Sequence, residues 1–121
     1  MRQLGFRVGA VWCAAAVALG AFGAHLLRAK LPPDQLQTFE TAVRYQFYAG
    51  LGIQLAALAR ARSATLFLMI GGSAVFSGTL YLYLATGVRW LGAITPLGGL
   101  SLIASWLLLA RDGWSVEDDH L

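Results

Sequence analysis

Residues 63–88 read SATLFLMIGGSAVFSGTLYLYLATGV, a run of 26 residues without Asp, Glu, Lys or Arg. An α-helix rises about 1.5 Å per residue, and about 20 residues cross the hydrocarbon core of a bilayer. Lipid offers no partner for free backbone groups, so a run of this kind is predicted to be helical. The stretch therefore indicates a membrane-spanning helix.

Two further runs have the same character, and a third is shorter. Val8–Leu27 is charge-free over 20 residues and Trp90–Ala110 over 21. Tyr45–Ala59 is charge-free over only 15, which is roughly 22 Å of helix. Adding Thr41–Arg44 makes this run long enough to span, because Arg44 in the first turn can extend its charge to the interface.

The predicted fold is a single all-α domain over residues 1–121, an up-and-down bundle of four transmembrane helices. Their expected ranges are about 8–28, 41–60, 64–87 and 90–110. The alternative has three spans, with residues 34–59 lying in the membrane interface.

Helix-breaking residues and short connections along the chain support these boundaries. Leu31-Pro32-Pro33-Asp34 ends the first helix, and Pro33 or Asp34 suits the start of the second. The connections at 60–63 and 87–89 are very short, so consecutive helices are expected to run antiparallel. An amphipathic lead-in to helix two is predicted from apolar residues at helical spacing, namely Leu36, Phe39, Val43 and Phe47.

Composition excludes most soluble classes of protein. Of the 121 residues, 58% are hydrophobic and 12% are charged, whereas soluble domains have about 25% charged residues. The net charge of +3 comes from basic residues scattered at segment ends, so we expect no nucleic-acid partner. With Cys13 as the one cysteine, an intrachain disulfide is impossible.

The distribution of Lys and Arg predicts the orientation. Four spans place five basic residues on one side, Arg2, Arg7, Arg60, Arg62 and Arg111. The other side has Arg28, Lys30 and Arg89, with Arg44 as a fourth. This balance favours cytoplasmic termini. The first segment imitates a signal peptide, and we expect it to be retained as helix one.

Small residues spaced four apart allow helices to approach closely. Three pairs have this spacing: Gly52 with Ala56, Ala74 with Gly78, and Ser101 with Ser105. Either tight packing within the chain or a homo-oligomer face explains them.

Polar residues near the first hairpin form a second candidate site. His25 lies near the end of helix one, and Glu40, Arg44 and Gln46 follow near the start of helix two. Glu40 and Arg44 stand at i and i+4, the favourable order for a helical ion pair. We expect His25, Glu40 and Arg44 to cluster at one membrane face, either as a polar clamp or as a proton-sensitive or ligand-contacting site.

Pro96 lies near the start of the last apolar run, with Thr95 before it and Gly98 and Gly99 after it. Pro removes one helical hydrogen bond and kinks a helix. Alternatively, Thr95 caps a new helix that begins at Pro96, and such broken helices line substrate sites in some transporters.

Motifs for enzymatic chemistry are missing from the sequence. It contains no GxSxG, no HExxH and no Gly-rich phosphate loop. We therefore expect neither an enzyme nor a bound cofactor or metal ion.

Four stretches together resemble a known family. They are GAFGAH at 20–25, TFETAVRYQFY at 38–48, FSGTLY at 76–81 and TPLGG at 95–99. In these the sequence is similar to the small membrane proteins called domain of unknown function 423, also known as the transmembrane protein 256 family.

The resemblance implies a three- or four-helix protein of the bacterial inner membrane, without an assigned activity. The family commonly has a His shortly after the Tyr-Gln pair, where this chain has Ala49. That departure argues against a metal or proton-relay site opposite His25.

The sequence thus favours a structural or accessory membrane protein that binds membrane lipids or a membrane-protein partner. The alternative is a small transporter or channel that acts as a homo-oligomer.

Overall fold

The computed structural model describes the backbone of residues 2–119 and the side chains of residues 2–112. Within this part of the chain all regular structure is helical, as predicted. The four long helices are α1 (Arg2–Leu27), α2 (Pro33–Leu58), α3 (Ser63–Thr86) and α4 (Leu91–Asp119). Helix α1 is α-helical over Arg2–Ala18 and Ala24–Leu27, and π-helical over Leu19–Gly23.

The helices pack in the order of the chain. Helix α1 lies against α2, α2 against α3, and α3 against α4, while α2 and α4 touch more sparsely. The short connections require antiparallel neighbours, so the predicted up-and-down arrangement is confirmed. Within the described residues, three helical segments are long and apolar enough to cross a membrane: Arg2–Leu27, Ser63–Thr86 and Leu91–Asp112.

Helix α2 runs along α1 rather than across it. Near one end, a Cβ on Gly23 would lie 2.9 Å from Cζ of Phe39. Near the other end, a Cβ on Gly5 would lie 3.4 Å from Cβ of Ala57. This lengthwise antiparallel pairing does not fit a helix lying in the interface plane. Packing therefore holds α2 among the spanning helices, although its own residues are less apolar.

Local signals end the helices where the sequence predicts a break. Pro32 is extended at the N-terminal boundary of α2, and Pro33 occupies its first turn. Gly87 ends α3 with φ 74°, a left-handed conformation that glycine adopts without strain, and its N–H donates to the carbonyl of Tyr83 at 2.7 Å.

Three helices extend beyond the predicted spans. Helix α1 begins at Arg2 instead of residue 8, and α4 continues to Asp119 instead of ending near 110. Charged residues mark where the hydrocarbon core ends, and without a Pro or a left-handed glycine the backbone remains helical beyond it. Helix α2 begins at Pro33, eight residues before its predicted span of 41–60 and where the amphipathic lead-in was predicted, and the remaining bounds differ by one or two residues.

The core lies where α2, α3 and α4 meet. Ile53, Ala56 and Met69 are fully buried there, with Leu66 and Leu102 nearly so. Gly52 allows this approach, because a Cβ at that position would lie 2.8 Å from Sδ of Met69. The interior thus combines Ile53 and small residues of α2 with larger side chains on the next helices.

Candidate functional site

Gln46 connects α1, α2 and α3 through side-chain hydrogen bonds. Its Nε2 donates to the carbonyl of Trp12 at 3.1 Å, and its Oε1 accepts from the hydroxyl of Tyr81 at 2.7 Å. The indole Nε1 of Trp12 donates to Oγ of Ser73 at 2.7 Å. We call Trp12, Gln46, Ser73 and Tyr81 the Gln46 network. Because these groups lie within the charge-free runs of α1, α2 and α3, their mutual pairing is what makes their burial tolerable.

The Gln46 network forms the floor of a groove between α1 and α3. The groove has a volume of about 380 Å³ and is lined mainly by apolar surface. Val11 and Ala15 line it from α1, and Ala74 and Gly78 from α3. We call this space the α1–α3 groove. The polar side chains of this floor form hydrogen bonds within the chain. Within the described residues, no buried side-chain nitrogen or oxygen lacks a hydrogen-bond partner.

The structure does not bring the predicted polar cluster together. Gln46 is buried, whereas His25, Glu40 and Arg44 are exposed. Among the described residues, no hydrogen bond or ion pair joins Glu40 to Arg44 or either of them to His25. Successive helical residues are about 100° apart around the axis, so Arg44 and Gln46 lie on opposite sides of α2.

Glu40 and Arg44 lie deep along the bundle despite their exposure. Val43, beside Arg44, packs against Gly20, where a Cβ would lie 3.2 Å from Cγ1 of the valine. Gly20 is eight residues from Arg28, or roughly 12 Å of helix. A charged side chain at the centre of a membrane helix is unfavourable by about 2.5–3.5 kcal/mol on insertion scales.

Helix α4 passes through Pro96 without a break. It begins at Leu91, so Thr95 does not cap a helix that starts at Pro96, and that alternative was wrong. Instead, Oγ1 of Thr95 donates to the carbonyl of Leu91 at 3.1 Å and lies 2.6 Å from Oγ1 of Thr79. Thr95 therefore links α4 to α3. A kink at Pro96 stays a prediction.

Gly98 and Gly99 differ although they are adjacent. Gly98 is buried against the backbone of α3, where a Cβ would lie 2.5 Å from the nitrogen of Phe76. A Cβ on Gly99 would lie 3.6 Å from the ring of Phe76, an ordinary contact. Gly98 thus permits the close approach of α3 and α4.

The three pairs of small residues occupy different environments. Gly52 and Ala56 are buried in the core, and Ser105 is fully buried with Ser101 half-buried beside α3. Ala74 is exposed, and a Cβ on Gly78 would meet nothing within 4 Å. Two pairs therefore face the chain's own interior, and the third opens onto the α1–α3 groove.

Asp112 is a buried charge that the sequence analysis did not single out. Its side chain is only 4% exposed. Oδ2 accepts from the backbone N–H of Arg62 at 3.1 Å and from Oγ1 of Thr65 at 2.7 Å. Arg62 precedes α3, so an acid from α4 caps the N-terminus of α3. The sequence did contain a signal for this contact. Asp112 follows the last apolar run, and because α4 is antiparallel to α3, that end of α4 lies beside the N-terminus of α3.

A metal site is not evident in the described part of the chain. No three His, Cys, Asp or Glu side chains within it lie together in a way that could hold a metal ion. The hydrogen-bonding groups of the α1–α3 groove are amide, indole and hydroxyl groups, which can orient a ligand or join helices.

Replacing Gln46 with leucine should lower the free energy of unfolding by about 1–2 kcal/mol, because Tyr81 then loses its buried acceptor. Thermal unfolding in detergent measures this loss. Gln37→Leu, at an exposed position of the same helix, is the matched control and should cause no loss. Equal effects of the two substitutions would contradict a stabilising role for the Gln46 network.

The four stretches that carry the family resemblance supply interhelical contacts. Gly23 of the first faces Phe39 of the second. Ser77 of the third donates its hydroxyl to the carbonyl of Ala42 at 2.8 Å, and Thr79 of the third meets Thr95 of the fourth. These motifs therefore determine how the helices fit together.

Comparison with known proteins gives one consistent result. The family profile described as Protein of unknown function (DUF423) matches residues 19–99. The UPF0382 membrane protein YwdK of Bacillus subtilis is 43% identical over 109 residues, covering 84% of this chain and 89% of the relative. The UPF0382 inner membrane protein YgdD of Escherichia coli K12 is 35% identical over 100 residues, covering 77% and 76%. No solved structure matches significantly.

These relatives and the three apolar spans agree on location. The chain is an integral protein of the inner (plasma) membrane, as predicted. The cytoplasmic location of both termini stays a prediction.

Proposed function

We propose that this chain, which belongs to the DUF423 family of membrane proteins of unknown function, is a non-enzymatic accessory protein that binds another membrane protein. The site that we assign to this role is the α1–α3 groove. Its occupant is a transmembrane helix of the partner, lying along Ala74 and Gly78.

The observation that supports this proposal is the open side of Gly78. A side chain there would meet nothing of this chain within 4 Å, so the small residue serves no contact of its own. Small residues permit close backbone approach between membrane helices. The groove continues past Ala15 on α1, and its polar floor is internally satisfied. Such a surface suits an apolar helix rather than a polar substrate.

The alternative of a small transporter or channel has less support. It depended on a broken helix at Pro96 and on a cluster of His25, Glu40 and Arg44. Helix α4 is continuous through Pro96, and within the described part of the chain no hydrogen bond or ion pair joins the three side chains.

Filling the groove is expected to release the partner. Tagged wild-type protein, purified from native membrane in mild detergent, should retain a second membrane protein, and Gly78→Leu should lower its recovery at least tenfold. Gly92→Leu is the matched control, because a Cβ on this exposed glycine of α4 also meets nothing within 4 Å. It should leave recovery unchanged.

Photocrosslinking then tests the site itself. A photoreactive residue at Ala15, in the groove, should label the protein that copurifies, and one at Leu107, exposed on α4, should not. Copurified lipid without a second protein, equal labelling from both positions, or retention by Gly78→Leu would each contradict the proposal.

A further inference from the structure

The outward side of α2 carries a continuous stripe of exposed residues. They recur every three or four positions: Gln37, Glu40, Arg44, Tyr48, Leu51, Leu55 and Leu58. We call this the α2 outer stripe. Such spacing places all of them on one side of a helix. One half of the stripe carries charges, and the other half ends in leucines.

The charged half lies within the depth of the bundle. Ala42, between Glu40 and Arg44 in the chain, accepts a hydrogen bond from Ser77 at 2.8 Å. Ser77 is nine residues before the end of α3 at Thr86, or roughly 13 Å of helix. The backbone of Glu40 and Arg44 is thus well inside the ends of the helices.

These two charges have no ion-pair partner within the described part of the chain. Ionisable side chains at membrane depth normally face a protein interior or a water-filled cavity, and pair with one another. Arg44 can extend its charge toward the interface, but a surface that supplies an acid for Arg44 and a base for Glu40 would pair both charges at their own depth.

We propose that a second copy of this chain covers the α2 outer stripe, with Glu40 of each copy paired to Arg44 of the other. In a two-fold interface, if residue i contacts residue j, then j also contacts i. A stripe with opposite charges one helical turn apart is consequently complementary to itself. An anionic lipid headgroup could neutralise Arg44 but would leave Glu40 unpaired.

The rest of the stripe suits the same interface. Leu55 and Leu58 are 51% and 60% exposed and offer apolar surface for packing against the same residues of the second copy. The interface is separate from the α1–α3 groove, because Gln46 and Arg44 lie on opposite sides of α2. The inference therefore does not depend on the proposed function.

Charge reversal provides the test. Fluorescence energy transfer between labelled copies of the purified full chain, reconstituted at several protein-to-lipid ratios, reports dimerisation. Glu40→Arg alone and Arg44→Glu alone should each weaken dimerisation at least tenfold, because each makes the stripe carry one sign. Arg89→Glu, at an exposed position in the α3–α4 connection, is the control and should dimerise like wild type.

Two rescue experiments separate charge pairing from misfolding. The two single variants, reconstituted together, should form a mixed dimer, because one stripe is then basic and the other acidic. The double variant Glu40→Arg with Arg44→Glu should again dimerise with itself. The proposal is overturned if the wild type is monomeric at every ratio, if both single variants dimerise normally, or if neither rescue restores dimerisation.

Discussion

Asp112→Ala is expected to lower the free energy of unfolding by about 3 kcal/mol, one of the two largest effects predicted for this protein. The substitution removes the acceptor of two hydrogen bonds, from the backbone N–H of Arg62 and the hydroxyl of Thr65. Thr65 is 1% exposed, so its hydroxyl would be left without a partner in the interior. Hydrogen bonds to charged groups contribute about 1.5–3 kcal/mol each, and a buried unpaired donor is unfavourable by about 1–3 kcal/mol.

Two companion variants identify the cause of this loss. Asp112→Asn retains an oxygen acceptor and should lose about half as much. Arg62→Gln retains the backbone N–H that donates to Asp112 and removes only the side-chain ion pair. That pair is long, 3.9 Å, and the arginine is 71% exposed, so the loss should stay below about 0.5 kcal/mol. Unfolding in detergent measures all three. A large effect of Arg62→Gln with a small effect of Asp112→Ala would contradict the capping role.

The spans could be predicted because charge exclusion from lipid is a local property of the sequence. The run at 63–88 is enough to predict α3, which extends over Ser63–Thr86. Helix ends with a chemical cause, such as Pro33 and Gly87, were also predictable. Ends without one were not, since α4 continues past the charges at Arg111 and Asp112.

Helix α2 shows the limit of hydropathy as a guide. Its place among the other helices depends on small residues that face α1, such as Gly50, where a Cβ would lie 2.6 Å from Sγ of Cys13. This contact joins residues far apart in the chain, and the sequence alone does not indicate which residues of α1 and α2 lie opposite one another. The same applies to the π-helical turn at Leu19–Gly23, for which no local signal was evident.

The candidate site was only partly predictable. Gln46 was one of the polar residues predicted to form a site near the first hairpin, and the structure places it at the centre of the Gln46 network. Its partners, Trp12 and Tyr81, could not be predicted. Trp and Tyr are also enriched at membrane interfaces, so their presence in an apolar run does not indicate a hydrogen bond inside the bundle. Closeness along the first hairpin wrongly suggested that His25 joins Glu40 and Arg44. Contact depends on direction around the helix as well as on depth.

Gly98→Ala is the other substitution with a large expected effect, a loss of at least about 2 kcal/mol in the free energy of unfolding. The added Cβ would lie 2.5 Å from the nitrogen of Phe76 and 2.8 Å from the carbonyl oxygen of Gly72. Both are backbone atoms, so no side-chain rotation relieves the clash and α3 must move away from α4. Overpacking of this kind is unfavourable by about 1–3 kcal/mol and occasionally more.

The adjacent glycine provides a matched control of opposite sign. Alanine favours a helix over glycine by about 1 kcal/mol, and a Cβ on Gly99 would meet the ring of Phe76 at 3.6 Å without strain. Gly99→Ala should therefore leave stability unchanged or raise it by up to about 1 kcal/mol. Paired unfolding curves in one detergent measure the contrast. If Gly98→Ala proves as stable as Gly99→Ala, the two helices do not approach as closely as the structure shows, and the contact of Thr79 with Thr95 should then also be absent.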